Sequence, residues 1–329
     1  MTWLPWGSYD EGPRENFGCV FADSERIFLI GGKRGGMTDL RRCDIWNVNT
    51  KEWSTGPKLP IKMKYCRAVL VDRTIYVVGP FLEFYRINID KLQEGWKRMP
   101  SLMREGLGCD LVVDEQNQYL YLLGDSKESR TGFFRYHIPS KQWIEMSEPM
   151  KIGRDELGAA YINGKIYAIG GRTGISGDQI LSSMSVYDVL KKTWTLGPKL
   201  PVAMYGHAVV EAGKLIFVCG GRSTYSSDTQ LSCCYIFDTE TNEWSRLNKD
   251  LPDTFANHAA VASNMNTFVI GGIGESQTPE SKVIYTTDLT TYYRERDDES
   301  IISMASTRAT FTQKLFGTIC CKADRKDDY

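Results

Sequence analysis

The sequence predicts an all-β fold, a propeller of small four-stranded sheets, from two landmarks that recur along the chain. An apolar strand ends at or near a glycine pair in six places: Gly31-Gly32, Gly79-Pro80, Gly124-Asp125, Gly170-Gly171, Gly220-Gly221 and Gly271-Gly272. An aromatic-led strand and a polar turn then lead to a tryptophan, in turn Trp53, Trp96, Trp143, Trp194 and Trp244. A period of about 50 residues is typical of propellers, because so small a unit buries its apolar faces only against neighbouring units.

Each repeat is interpreted as four strands, A to D. In the fourth copy, two apolar runs flank Asn163-Gly164, a strong hairpin signal because both turn positions need a positive φ. That hairpin supplies strands A and B, Tyr187-Asp188 closes strand C, and a tryptophan opens strand D. The turn from C to D has one length in four copies but is longer between Asn88 and Trp96, so we expect an extended turn there.

The two ends of the chain predict how the ring closes. Trp3 precedes Trp53 at the repeat period, and residues 308–319 overlay a further A-B hairpin. We therefore expect one domain over residues 1–329, with seven blades favoured over six and the closing blade shared between the termini. In a six-bladed ring, either Trp3 or the terminal hairpin would be an accessory. The predicted repeats cover 14–60, 64–101, 104–150, 154–201, 205–252 and 256–299, with closing elements at 1–13 and 303–321.

Composition excludes several classes of function. The 40 Lys and Arg residues nearly cancel the 41 Asp and Glu residues, so the net charge favours neither nucleic acid nor an anionic membrane. The N-terminus lacks the pattern of a signal peptide, and no apolar run reaches the length of a membrane span. Nine cysteines without a C-x-x-C pair indicate buried, reduced thiols. We expect a cytoplasmic or nuclear protein that is not secreted and is monomeric on its own.

The sequence offers little catalytic or metal-binding chemistry. Only three histidines are present, and His207 and His258 occupy the same position in successive repeats, which indicates a structural role such as bonding a neighbouring loop backbone. None of the common nucleophile, zinc or phosphate-binding motifs occurs. We therefore expect no catalytic residues, no metal and no cofactor.

The glycine pairs, the Val186-Tyr187-Asp188 end of strand C and the strand-D tryptophans resemble the kelch-repeat family over nearly the whole chain. In propellers, the loops from B to C and from D to the next A lie on one face, and binding residues concentrate in such loops. The predicted partner-binding residues in these loops are Arg34, Tyr65, Arg104, Arg154, Arg172, Tyr205, Arg222, Tyr225 and Asn257.

The resemblance implies that these arginines and tyrosines grip a short, often acidic peptide of a protein partner, which suits the bidentate geometry of guanidinium and carboxylate. A competing interpretation is that the arginines only order the loops by pairing with Glu105, Asp155, Glu156 and Asp178. The resemblance also implies a standalone kelch domain, because no BTB, BACK or F-box segment precedes the first repeat.

Two hypotheses for function follow. The leading one is a non-catalytic interaction module, acting as a substrate receptor, scaffold or cytoskeletal linker. Its partner would be a protein, such as a ubiquitin-ligase subunit or a component of the actin cytoskeleton. The alternative is a metal-free isomerase or lyase that acts on a small anionic metabolite at the channel mouth through Arg172 or Arg222.

Overall fold

A computed structural model describes ten segments of the chain: residues 2–9, 14–34, 38–81, 83–102, 108–124, 131–173, 179–225, 230–263, 266–274 and 283–288. In these segments the chain forms six four-stranded antiparallel sheets, each one blade of a propeller. The first three blades and the segments before them contain β1 (Leu4–Ser8), β2 (Arg14–Glu15), β3 (Gly18–Ala22), β4 (Arg26–Ile30), β5 (Lys33–Arg34), β6 (Thr38–Asp39), β7 (Cys43–Asn47), β8 (Glu52–Thr55), β9 (Arg67–Val71), β10 (Thr74–Val78), β11 (Phe84–Asn88), β12 (Lys97–Arg98), β13 (Asp110–Val113), β14 (Tyr119–Leu123), β15 (Phe133–His137) and β16 (Gln142–Glu145).

The last three blades contain β17 (Gly158–Ile162), β18 (Lys165–Ile169), β19 (Arg172–Thr173), β20 (Gln179–Ile180), β21 (Met184–Asp188), β22 (Thr193–Leu196), β23 (Ala208–Ala212), β24 (Leu215–Cys219), β25 (Cys234–Asp238), β26 (Glu243–Arg246), β27 (Ala259–Ser263), β28 (Asn266–Ile270) and β29 (Val283–Asp288). The predicted hairpin is confirmed, because Asn163 and Gly164 have φ values of 51° and 70°. The extended turn after Asn88 is also confirmed, and it contains a short 3-10 helix at Leu92–Glu94.

The ring closes with six blades. The inner strands β3, β9, β13, β17, β23 and β27 contact one another in order, and β27 returns to β3. The predicted preference for seven blades is therefore wrong. The sheet of β27, β28 and β29 takes its outer strand from β1, where Leu4 pairs with Thr286. The N-terminal strand thus completes the sixth blade rather than a seventh, and the predicted hairpin at 303–321 lies outside the described residues.

The strand-D tryptophans join neighbouring blades. Each indole N–H donates to a backbone carbonyl of the preceding blade. The acceptors, given in ring order, are Ser8 for Trp53 (2.6 Å), Pro57 for Trp96 (2.8 Å), Pro100 for Trp143 (3.0 Å), Glu148 for Trp194 (2.9 Å) and Pro198 for Trp244 (3.1 Å). The bond from Trp53 reaches β1, so it links the first blade to the last.

The core lies between blades. One typical cluster joins Tyr121 and Leu123 of the third blade to Ile166 and Tyr187 of the fourth, with Trp194 covering it. All seven cysteines in the described residues are free thiols, and six are buried. Burial raises the pKa of Cys43 to about 12. No helix in this part of the chain is long and apolar enough to span a lipid bilayer.

Candidate functional site

The two classes of loop meet at one face of the ring, as the sequence predicts. Within four blades, the segment that enters strand A bonds through its backbone to the segment that leaves strand B. The pairs are β2 with β5, Asp155 with Arg172, Tyr205 with Arg222, and Ala256 with Ile273. Side chains from both loop classes therefore surround the same opening of the central channel.

Six residues with a positive φ surround that opening. They lie two positions before each inner strand and are here called the mouth ring: Asn16, Tyr65, Gly108, Glu156, Gly206 and Asn257. Four successive hydrogen bonds, each from a backbone N–H to a backbone carbonyl, join five of them. These are Asn16 to Asn257 (2.9 Å), Asn257 to Gly206 (2.8 Å), Gly206 to Glu156 (3.0 Å) and Glu156 to Gly108 (2.8 Å). The backbone thus fixes the width of the mouth.

Arg172 is firmly held at the mouth. Its Nε lies 3.0 Å from Asp155 Oδ1, its terminal nitrogen lies 2.7 Å from Glu156 Oε1, and its guanidinium lies over the ring of Tyr205. Burial opposes its charge, but the carboxylates of Glu156 and Asp155 outweigh burial and raise the pKa of Arg172. For this residue, the loop-ordering pairs expected as an alternative are present.

Arg222 is held differently. Its guanidinium makes no hydrogen bond or ion pair with another described residue, and its Nε is buried without a partner. Two tyrosines stand beside it: Tyr205 is buried and donates its hydroxyl to the Thr224 carbonyl at 3.3 Å, and the ring of Tyr225, 50% exposed, lies 5.9 Å away from that of Tyr205. The mouth between the fourth and fifth blades therefore offers a cation and an exposed aromatic ring together.

The remaining candidates of the mouth lie around the first blade. Tyr65 belongs to the mouth ring and faces the ammonium of Lys33 at 5.9 Å. Asn257, also in the ring, donates from Nδ2 to Glu15 Oε2 at 3.4 Å. Arg34 is exposed at the end of β5. These three side chains lie at the same face as Arg172 and Arg222, and Asn257 adjoins the fifth blade, where its backbone N–H bonds to the Gly206 carbonyl.

Arg154 lies inside the blade rather than at the mouth, which corrects its predicted role in binding. Its side chain is 0% exposed and donates to the carbonyls of Gly170 (2.8 Å) and Ser183 (2.9 Å) and to Ser185 Oγ (2.9 Å). Burial lowers its pKa to about 10. Arg154 is therefore a scaffold residue that ties the mouth to strands B and C. Arg104 lies outside the described residues.

His207 and His258 are structural, although not through the backbone bonds expected. Each imidazole packs against the glycine that ends strand B of the preceding blade. The contact leaves no room for a side chain there: a Cβ on Gly170 would lie 2.8 Å from His207 Cε1, and a Cβ on Gly220 would lie 2.6 Å from His258 Cε1. Burial lowers the pKa of both to about 3. The described residues contain no group of three His, Cys, Asp or Glu side chains placed to hold a metal ion.

Sequence reasoning missed two acidic residues inside the channel. Asp110 accepts the Ala159 N–H at 2.7 Å and pairs with Arg67 at 3.3 Å, whereas Glu211 accepts the Tyr161 N–H. Asp110 and Glu211 lie in strands whose other residues are mostly apolar. An isolated acidic residue in an inner strand is therefore the sequence signal that could have indicated them. Their carboxylates accept hydrogen bonds from backbone N–H groups at the channel edge of β17, which have no neighbouring strand to bond to.

The fold and mouth together define a closed β-propeller with a loop-built face. Comparison with known families agrees: the model described as the KLHDC2/KLHL20/DRC7 Kelch-repeats domain matches residues 83–272 and 159–310. The chain belongs to the kelch-repeat family, and it is a propeller domain of the protein-interaction type.

Its curated relatives are longer proteins. Kelch-like protein terF of Aspergillus terreus is 29% identical over 263 residues, which cover 71% of this chain and 56% of terF. Kelch-like protein 40 of Mus musculus is 26% identical, over 60% of this chain and 33% of the relative. Kelch repeat and BTB domain-containing protein 1 of Cowpox virus is 26% identical, over 79% and 45%. The chain thus matches about half or less of the length of these relatives.

Proposed function

We propose that the mouth binds an acidic segment of a protein partner between the fourth and fifth blades, with the chain acting as a substrate receptor or scaffold. The observation that carries the proposal is the contrast between two arginines. Arg172 is neutralised by Asp155 and Glu156, whereas the guanidinium of Arg222 forms no ion pair with a carboxylate of the described residues.

The chemistry of the surroundings supports a peptide as the ligand. An arginine fork holds a carboxylate through two parallel hydrogen bonds, and such pairs are among the strong polar contacts in proteins. Tyr225 is half exposed beside Arg222, and an exposed tyrosine gives rigid contact area, which is why tyrosine and arginine dominate binding energy at interfaces. Arg172 packs over Tyr205 beside this pocket. Because Arg172 is already paired with two carboxylates, it does not compete for the ligand.

Selection of peptides from a random library on the purified chain tests the proposal. We expect the selected peptides to be enriched in Asp and Glu, and their affinity to fall at least tenfold in Arg222→Glu. Lys191→Glu is the matched control, because it reverses the same charge in a turn between strands C and D, on the opposite face, where Lys191 is 74% exposed. Selection of peptides without acidic residues, or equal binding by a folded Arg222→Glu variant, would refute it.

A further inference from the structure

The central channel contains a cavity of about 300 Å³ that the proposed function does not use. Inner strands from all six blades line it, and its wall combines polar surface with apolar side chains such as Leu70, Leu111 and Val209. This volume is at the lower end of the range for sites that bind small molecules. At the fourth position of the inner strands, Glu211 is the one charged residue; the other five are Phe21, Leu70, Val113, Tyr161 and Ala262.

Glu211 has no cation beside it. Its carboxylate accepts the Tyr161 N–H, faces the open channel, and forms no ion pair with any described residue. Asp110 lies on the other side of β17, where it accepts the Ala159 N–H and pairs with Arg67. The two amides are two residues apart on one strand, so the carboxylates lie about 7 Å apart along the channel.

An independent observation comes from His207, which lines the same cavity. The residue is 6% exposed, and neither ring nitrogen has a hydrogen-bond partner; the nearby Ile169 carbonyl does not have the geometry of a bond. A buried polar group without a partner is costly, and a bound ligand can supply that partner. Because the imidazole is neutral, it can accept a hydrogen bond from an N–H donor.

We propose that the channel binds a small organic cation with two amine groups, one on Glu211 and the other towards Asp110. The apolar side chains among the lining, such as Leu70 and Val209, suit the methylene chain of such a ligand, and a carboxylate without a counterion suits its ammonium group. A bare metal ion fits less well, because hard cations need six or more oxygen ligands and the described residues offer no cluster of three candidate side chains.

The charge on Glu211 makes binding depend on pH. Although Glu211 faces the open channel, the protein that surrounds it on all sides displaces bulk water; this desolvation raises the pKa of Glu211 to about 7, and the nearby acids add to the shift. Below that pH the carboxyl group is increasingly neutral and attracts an ammonium weakly, so affinity rises from pH 6 to pH 8 while the amine stays protonated. The charged and titratable groups that surround Glu211 are Asp110 and Glu115 as acids, Arg67 on Asp110, the phenol of Tyr161, and the neutral His207 and His258.

Isothermal titration of the purified chain with 1,4-diaminobutane tests this inference, with succinate as a probe of equal length and opposite charge. We expect the diamine to bind at pH 8, up to about tenfold more weakly at pH 6, and succinate not to bind. Glu211→Gln should weaken binding at least tenfold and remove its pH dependence. Glu240→Gln is the control, because Glu240 is an exposed acid that pairs with Lys214.

A second variant keeps the test decisive if Glu211→Gln fails to fold. Ala262 lies at the same level as Glu211 on the next inner strand, so Ala262→Lys places an ammonium in the channel and should abolish diamine binding. No binding of the diamine to the folded wild-type chain would overturn the inference. Equal binding of diamine and succinate, or binding unchanged by both variants, would overturn it too. None of these outcomes bears on the peptide site at the mouth, because neither variant touches Arg222.

Discussion

The guanidinium of Arg14 lies 2.6 Å from Asp44 Oδ2, and both side chains are almost completely buried. Arg14 also donates to the carbonyls of Gly31 at 2.7 Å and Arg42 at 3.0 Å. Arg154 occupies the equivalent position in the fourth blade and makes equivalent backbone bonds, but Ser185 stands where the first blade has Asp44. The propeller therefore contains one buried arginine with a carboxylate and one without.

Asp44→Asn should destabilise the protein by about 3 kcal/mol, because it removes the negative partner of a buried charge. Chemical denaturation followed by tryptophan fluorescence measures this loss. Asp250→Asn is the control: it removes the partner of Arg246 in an exposed pair and should leave stability nearly unchanged. Equal losses in the two variants would contradict the prediction.

Ser185→Asp should stabilise the protein by about 1 kcal/mol, because the new carboxylate meets the buried guanidinium of Arg154 in a charge-assisted bond. The melting temperature measures the gain. In an Arg154→Met background the same change should destabilise, since the carboxylate is then buried without a cation. That background is suited to the test, because Met63 and Met204 occupy the equivalent position in other blades. Stabilisation in both backgrounds would show that the ion pair is not the cause.

Trp194→Ala should cost about 3 to 5 kcal/mol of folding free energy, because it empties the interface between the third and fourth blades. Trp194→Phe keeps most of the packing and loses the bond to the Glu148 carbonyl, so about 1 kcal/mol is expected. Leu196→Ala, two residues away on the same strand and 70% exposed, should change stability by less than about 0.5 kcal/mol. Denaturant titration separates these three values, and a large loss in Leu196→Ala would contradict the assignment of the interface between the blades to Trp194.

Stability should fall in acid because of His207 and His258. Burial lowers the pKa of each to about 3, below the unfolded value of about 6.5, so the unfolded chain binds more protons between these limits. Their contribution is complete above pH 6.5 and is lost as the pH falls towards 3, by about 1.4 kcal/mol per pH unit for each histidine.

Denaturation of His207→Leu with His258→Phe between pH 6.5 and 4 checks this expectation. Leu157 and Phe17 occupy the same position in other blades, so both replacements have precedent within the ring. The double variant should lose less stability across this range than the wild type. An unchanged slope would show that other groups govern the acid response.

Most of the fold could be predicted from the sequence because its landmarks perform physical tasks that repeat with the blade. The glycine that ends strand B must have a positive φ where the next blade packs against it, and each tryptophan must reach the carbonyl of the preceding blade. The number of blades could not be predicted, because spacing places Trp3 in a strand D without saying which sheet that strand completes. The sheet of β27, β28 and β29 lacked an outer strand, and β1 supplied it.

The site was less predictable because the direction of a side chain in a loop is not visible in its sequence. Arg154 and Arg172 both lie in loops at the mouth, yet one turns into the blade and the other towards the opening. One signal was available: Arg14 and Arg154 lie at the same offset before an inner strand, and recurrence at the repeat period indicates a scaffold role. The contrast between Arg172 and Arg222 follows from the residues before each inner strand, Asp155-Glu156 in the fourth blade and Tyr205-Gly206 in the fifth, but only the structure shows how each arginine side chain is directed.

The hydrogen bonds of the mouth ring have a consequence for how such a protein can diversify. Because main-chain atoms alone make the four links, a change of side chain at Asn16, Glu156 or Asn257 leaves these hydrogen bonds intact, provided that the new residue accepts a positive φ. The width of the mouth and the side chains that surround it can therefore vary independently. Substitutions at the mouth can change which partner is preferred while the backbone dimensions of the opening stay constant.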